Sequence, residues 1–281
     1  MKKCGYISVI GETNAGKSTL INKLVGQKVS IVSRKIQTTL SRTIGIAIYG
    51  ESQIIFIDTP GFLHNASKKA AESLSKIAWD AFRESDNVLF VIDVNKKNLD
   101  TSIELLEKIS QEKKVALVMN KVDLIYKPNL LKIADTFSKV RNFEEIFMIS
   151  STTGSGIEDI LKYSAKVVPV SDWIYPEDEI TDSSFEKYTS EITREHIYHR
   201  LHKEIPYKCL VKTENYKEQK DGSIKIVQNI YVKNNAHKII FVGHNGGKIK
   251  AIGEASRKEL SQLLNRNVHL LLHVFVDEKF C

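Results

Sequence analysis

Eight residues, Gly11-Glu12-Thr13-Asn14-Ala15-Gly16-Lys17-Ser18, satisfy GxxxxGK[ST] in full. Their types suit a phosphate cradle. Glycines let the backbone curl until several N–H groups face one anion, and a following helix adds the positive end of its dipole. Lys17 can then reach β- and γ-phosphates, and the Ser18 hydroxyl can hold Mg2+. The flanks fit this reading. Tyr6-Ile7-Ser8-Val9-Ile10 looks like a buried strand running in, and Ser18 to Leu24 runs out with helical periodicity.

Three more sets of residues could complete a nucleotide site. Asp58-Thr59-Pro60-Gly61 follows the apolar run Ile54-Ile55-Phe56-Ile57. An aspartate at that strand end can bind Mg2+ through water, and the Gly61 N–H can meet a γ-phosphate. Asn120-Lys121-Val122-Asp123 follows Val115 to Met119. The two acceptor oxygens of Asp123 match the N1–H and N2 amine of guanine. Adenine offers no donor at either place, so the pattern selects GTP over ATP. Asn120 can bridge base and phosphate loop, and the Lys121 stem can cover the ring. Ile149-Ser150-Ser151 closes the last strand and looks like the loop whose backbone N–H meets guanine O6. The nucleotide assignment thus covers residues 11–18, Asp58, Thr59, Pro60, Gly61, Phe62, Asn120, Lys121, Val122, Asp123, Ser150 and Ser151.

Ser33 to Thr39 is polar, basic and aperiodic. Thr38 or Thr39 there could complete a Mg2+ shell of Ser18 and Asp58 only when a γ-phosphate is bound, so the segment would order with GTP and loosen with GDP. Phe62 stands after Gly61 where a glutamine could have oriented an attacking water. Slow intrinsic hydrolysis is expected, with Asn14, Lys17, Thr39 and Gly61 as catalytic candidates. The Asn14 amide oxygen could hold K+ against the phosphates, placing positive charge where an arginine finger would act.

These motifs need strand ends to present them. Apolar runs at 6–10, 43–49, 53–57, 87–93, 115–119 and 145–149 alternate with helix-length segments at 67–83, 101–112, 129–139 and 156–165. That alternation predicts a mainly parallel sheet covered on both faces. Runs 43–49 and 53–57 are too close for a crossover and predict one antiparallel edge strand. In such a sheet ligands sit at the carboxyl ends of the strands, where every motif above falls.

The 281 residues allow two domains, and charge divides them. Residues 1–171 sum to +6, residues 172–186 hold six acids and no base, and residues 187–281 sum to +7. The acidic stretch, with Pro176, reads as a linker over 171–190 between domains at 1–170 and 191–281. The overall +7 favours a polyanionic partner. Cys4, Cys209 and Cys281 are scattered and odd in number, so neither a disulfide framework nor a zinc site is implied. No apolar run approaches a membrane span, and Met1-Lys2-Lys3-Cys4 passes straight into the first strand, leaving no room for a leader. A cytoplasmic protein is expected.

Beyond the linker the predicted order is helix (191–203), strand (208–216), strand (224–233), short helix, helix, and strand (268–276). Gly243-His244-Asn245-Gly246 falls between the two later helices, the GxxG position of a KH domain. Close glycines let a nucleic-acid backbone approach, and Gly247, Lys248 and Lys250 can meet its phosphates. His196, His199 and His202 invite a metal reading, but no cysteine or acid set completes it.

Together, Gly11–Ser18, Gln37-Thr38-Thr39, Asp58–Gly61, Asn120–Asp123, Ile205-Pro206-Tyr207 and Gly243–Gly253 resemble the bacterial Era family, across nearly the whole chain. The resemblance implies an α/β P-loop GTPase domain of Ras-like fold followed by an α+β type II KH domain. It also implies GTP/GDP and Mg2+ as cofactors, and binding to the 3′ end of small-subunit ribosomal RNA during small ribosomal subunit maturation. A monomer, partly peripheral at the inner face of the cell membrane, is implied as well. The chain ends at Phe280-Cys281, whereas family members usually carry a further tail, which puts tail contacts in doubt. Two other readings stay open: an RNA-binding protein whose nucleotide only stabilises the fold, and a membrane-attached signalling or transport G domain.

Overall fold

The computed structural model describes residues 1–33, 42–61, 68–201 and 205–277, with side chains from residue 76 onward in the helix that begins at Lys68. Two compact units emerge, Met1–Asp182 and Ser183–Cys281.

In the first unit, β1 (Lys3–Gly11) leads through the phosphate-loop sequence into α1 (Lys17–Val25). Then come β2 (Thr43–Tyr49), β3 (Ser52–Asp58), α2 (Lys68–Glu84), β4 (Asn87–Asp93) and α3 (Asp100–Glu107). They are followed by β5 (Val115–Asn120), α4 (Pro128–Val140), β6 (Ile146–Ile149) and α5 (Ile157–Val167). The sheet order is β2-β3-β1-β4-β5-β6. Only β2–β3 is antiparallel, as the spacing of the two runs requires. The central strands are apolar on both faces because helices cover both. Ile7, Val9, Phe56, Leu89 and Val91 pack with α1 and α5, and Ile10, Phe90, Ile92, Leu117 and Met119 pack with α3 and α4. Each such side chain contributes about 1.5–3 kcal/mol by leaving water, which fixes the strand ends that carry polar residues.

The acidic stretch over 171–190 splits in two. Its first part straps onto the edge hairpin. The buried Gln53 accepts from the Ile174 and Tyr175 N–H groups at 2.9 and 3.0 Å and donates to the Tyr175 carbonyl at 2.8 Å. The Ile46 N–H donates to the Ile180 carbonyl at 2.9 Å. Its second part enters α6 (Phe185–Arg200), which starts earlier than periodicity suggested because Ser184 caps it, accepting from the Lys187 N–H.

The second unit continues through a 3-10 turn (Ile205–Lys208), β7 (Cys209–Glu218), β8 (Ile224–Val232), α7 (Asn235–Val242), α8 (Gly247–Leu263) and β9 (Val268–Val276). This is the order the sequence indicates. The sheet runs β7-β8-β9, antiparallel then parallel. Ile230, Val232, Leu272 and Val274 face Ile197, Phe241 and Ile252 of the helices. Among the described residues no helix of this unit covers the opposite sheet face.

Candidate nucleotide and nucleic-acid sites

The phosphate loop ends at α1, whose first turn has no acidic residue and no side-chain cap. Its N–H groups are therefore left for an anion. The Lys17 ammonium lies back over the loop and donates to the Gly11 and Glu12 carbonyls at 3.0 and 2.8 Å. Burial pushes its pKa down to about 8 from an ordinary 10.5, while Asp58 and Glu12 pull the other way. Ser18 donates to a carboxylate oxygen of Asp58 at 2.7 Å. A hydroxyl and a carboxylate meeting at a strand end are the hard oxygen donors that Mg2+ takes. Ser18 and Asp58 would hold that ion, which would offset charge on the β- and γ-phosphates.

Gly61 sits directly on this loop. A Cβ there would stand 2.7 Å from both N and Cα of Thr13, so only glycine permits the approach. The fully buried Thr59 hydroxyl is committed to the Val9 carbonyl at 2.9 Å, and Pro60 is buried beside it. Thr38, Thr39 and Phe62 lie outside the described residues. A cavity lined by Thr13, Asn14, Lys17, Ser18 and Gly61 opens where the phosphates are expected.

Asn120 ties three segments together. It donates to the Ala15 carbonyl at 2.8 Å and accepts from the Lys121 N–H at 2.8 Å, and from the Ser151 N–H and hydroxyl at 3.0 Å each. Lys121 adopts a left-handed conformation (φ 68°) and donates to the Asn14 carbonyl at 2.8 Å and to Asp93 at 2.5 Å. Val122 and Asp123 follow in a 3-10 turn that leaves Asp123 exposed. Ser150 pairs with Ser155 across the last loop. The motifs at 11–18, 58–61, 120–123 and 150–151 thus gather at the carboxyl ends of the parallel strands.

Two contacts are additional to the sequence reading. Asp93 pairs with Lys121, and its position at the carboxyl end of β4 was the available signal. The carboxylate of Glu12 turns to Lys96 at 2.5 Å and to the Ser102 hydroxyl, which ties the phosphate loop to α3. Its partners are more than eighty residues away, so no local pattern marks them.

In the second unit α7 and α8 meet at Gly243–Gly246. Gly246 has φ 74°, and nothing lies within 4 Å of where its Cβ would be. The glycine satisfies the turn and leaves open space. α8 begins with no acid in its first turn and no side-chain cap, and His244, Asn245, Gly247, Lys248 and Lys250 are exposed around that end. A groove lined by Ile249, Gly253, Arg257, Leu270 and Leu272 runs alongside. His196 meets Glu259 at 2.7 Å and stacks edge-on with His199, and His202 lies outside the described residues. Among the described residues no helix is long and apolar enough to cross a membrane.

Residues 6–121 match a profile described as a 50S ribosome-binding GTPase, and residues 204–279 match that of the KH domain. The GTPase Era of Sinorhizobium medicae is 45% identical over 99% of this chain and 90% of its own length. The chain belongs to the Era family of GTPases. The Rhizobium meliloti member is 44% identical over 99% of this chain and 89% of its own length. A crystal structure of Era with MgGDPNP and nucleotides 1506–1542 of 16S ribosomal RNA superposes with a TM-score of 0.90 at 34% identity, covering 99% of this chain and 94% of that one. A variant of Aquifex aeolicus Era bound to GDP and AlF4- matches equally well, with TM-score 0.90 and 34% identity over 98% and 94% of the two chains. Both halves of the expected fold, the P-loop GTPase domain and the KH domain, are thereby established for this Era-family chain.

Proposed function

We propose that this chain binds and hydrolyses GTP in its first unit and binds small-subunit ribosomal RNA with its second, so that nucleotide state times a step of small ribosomal subunit maturation. The carrying observation is the gathering of all four nucleotide motifs at the carboxyl ends of the strands, in a chain that also presents GxxG at an uncapped helix start. The 16S fragment held by the 34% identical relative points to the small subunit. The 50S wording belongs to a profile confined to residues 6–121, outside the second unit.

The finer assignments are these. Residues 11–18 and Gly61 cradle the phosphates, Asn120 to Asp123 with Ser150 and Ser151 hold guanine, and Ser18, Asp58 and one of Thr38 or Thr39 hold Mg2+. Asn14 recruits K+ to the phosphates. Residues 243–250 clamp the RNA backbone near the 3′ end of the small-subunit RNA. The domains span 1–170 and 191–281, the intervening acidic residues forming the strap and helix start described above. The protein is a cytoplasmic monomer with partial peripheral association at the inner membrane face, where its net charge of +7 supports contact with anionic headgroups.

GTP turnover by the purified chain tests the reading. Added small subunits should accelerate it, and replacing K+ with Na+ should slow it. Turnover indifferent to subunits would overturn the ribosomal role, and turnover indifferent to the cation would remove K+ from the site.

A further inference from the structure

The open face of the second sheet has a composition that folding does not require. β8 and β9 alternate, and β7 does so on either side of a bulge between Thr213 and Asn215. One set of side chains packs on the helices, and the other faces solvent. Near one end of the solvent set, register places Lys217 opposite Lys225, and Lys225 beside His269. All three are exposed. Like charges directly across a strand pair destabilise a sheet, and among the described residues neither lysine is paired with an acid. Toward the other end, Tyr231 lies beside Phe275 with ring centroids 6.0 Å apart and planes 30° from parallel. Phe275 is 45% exposed and Leu271 43%, so two large apolar side chains lie open on this face.

Tyr231 is held in place. Its hydroxyl donates to Glu214 at 2.8 Å, and Lys212 lies over its ring at 5.9 Å. Glu214 lies on this face too, set against Lys212, Lys217 and Lys225. From Lys225 to Tyr231 is about 20 Å along the strand, the reach of a few nucleotides. Aromatic rings for bases to stack on, one of them anchored, with Lys217 and Lys225 open to phosphates, are what unstructured nucleic acid binds.

We infer that the open face of the β7-β8-β9 sheet is a second RNA-contacting surface, on the side of the sheet away from the Gly243–Gly246 loop. It takes single-stranded RNA by stacking on Phe275 and Tyr231 and by phosphate contacts to Lys217 and Lys225. It rests on the proposed RNA-binding role of this unit and adds a site that the GxxG geometry does not supply.

The test uses the full chain and an unstructured RNA strand several times longer than the four nucleotides a KH loop clamps. Lys217→Ala with Lys225→Ala should reduce the slope of log affinity against log salt by about 1.4, roughly 0.7 for each lost contact. Phe275→Ala should weaken binding roughly five- to a hundredfold, and Phe275→Trp should restore it, since stacking needs only an aromatic face. Ultraviolet crosslinking should map to the peptides containing Tyr231 or Phe275. GTP binding, carried by the other unit, checks that each variant is folded. Unchanged slopes, with crosslinks confined to residues 243–257, would overturn the inference and leave the exposed Leu271 and Phe275 to a protein partner. Gly246→Asp separates the two ideas. If it abolishes binding while the sheet variants bind normally, the second surface fails and the KH reading stands. If the intact chain retains no RNA, both fail.

Discussion

Lys17 is the residue in which burial and chemistry most directly oppose each other. Its folded pKa near 8 lies below the ordinary 10.5, so between those values the unfolded chain holds more protons. Stability contributed by this group therefore rises as pH climbs through that window. A bound triphosphate reverses the balance by bringing negative charge to the ammonium. Above pH 8, GTP binding should take up protons and weaken as pH rises further. Calorimetric titration at about pH 9 in two buffers of different protonation enthalpy checks this. Equal heats in both buffers would contradict it. The proposed role of Asp123 in base choice rests on the same kind of pairing. Asp123→Asn should weaken GTP about a hundredfold, two charged hydrogen bonds being disturbed, and favour xanthosine triphosphate, whose edge has the inverted pattern. Competition between the two nucleotides measures it, and an unchanged GTP preference would refute the assignment.

At the scale of elements, the close seat of β3's end on the phosphate loop is the joint through which, in the proposed site, the Asp58 segment and Lys17 would share one ligand. Gly61→Ala places a methyl 2.7 Å from Thr13 backbone, which side-chain motion cannot relieve. A loss of about 1–3 kcal/mol is expected, seen as a Tm several degrees lower and a weaker affinity for the triphosphate than for GDP. A wild-type Tm would show that the segment moves freely. This joint also marks how far sequence could be read. Strands β1 to β6 and their order of types were legible because central strands buried on both faces leave unbroken apolar runs, and the motifs were legible because each lies at such a run's end. The strap was not. Its hold depends on Gln53, a polar residue inside a strand whose partners Ile174 and Tyr175 are some 120 residues away. The same holds for Glu12 with Lys96 and Ser102, and for Asp93 with Lys121. Long-range polar pairs leave no periodicity, whereas Ser184 as a helix cap was local and could have placed the start of α6.

For the whole molecule, the first unit gathers the phosphate-loop and base-motif residues at its strand ends, and the second offers a basic surface with a glycine-opened helix start. Family membership joins the two functions in one chain, and the charge distribution agrees with it, both basic stretches flanking an acidic one. What gives the combination meaning is coupling: a γ-phosphate at Gly61 and Lys17 must alter RNA affinity, or the nucleotide is only a fold stabiliser. By linkage, RNA must then alter affinity for GTP relative to GDP by the same factor. The direct measurement is retention of a small-subunit RNA 3′ fragment by purified protein that is nucleotide-free, loaded with GDP, or loaded with a nonhydrolysable GTP analogue. Retention several-fold higher with the analogue than with GDP is the expected result, and equal retention in all three states would contradict it.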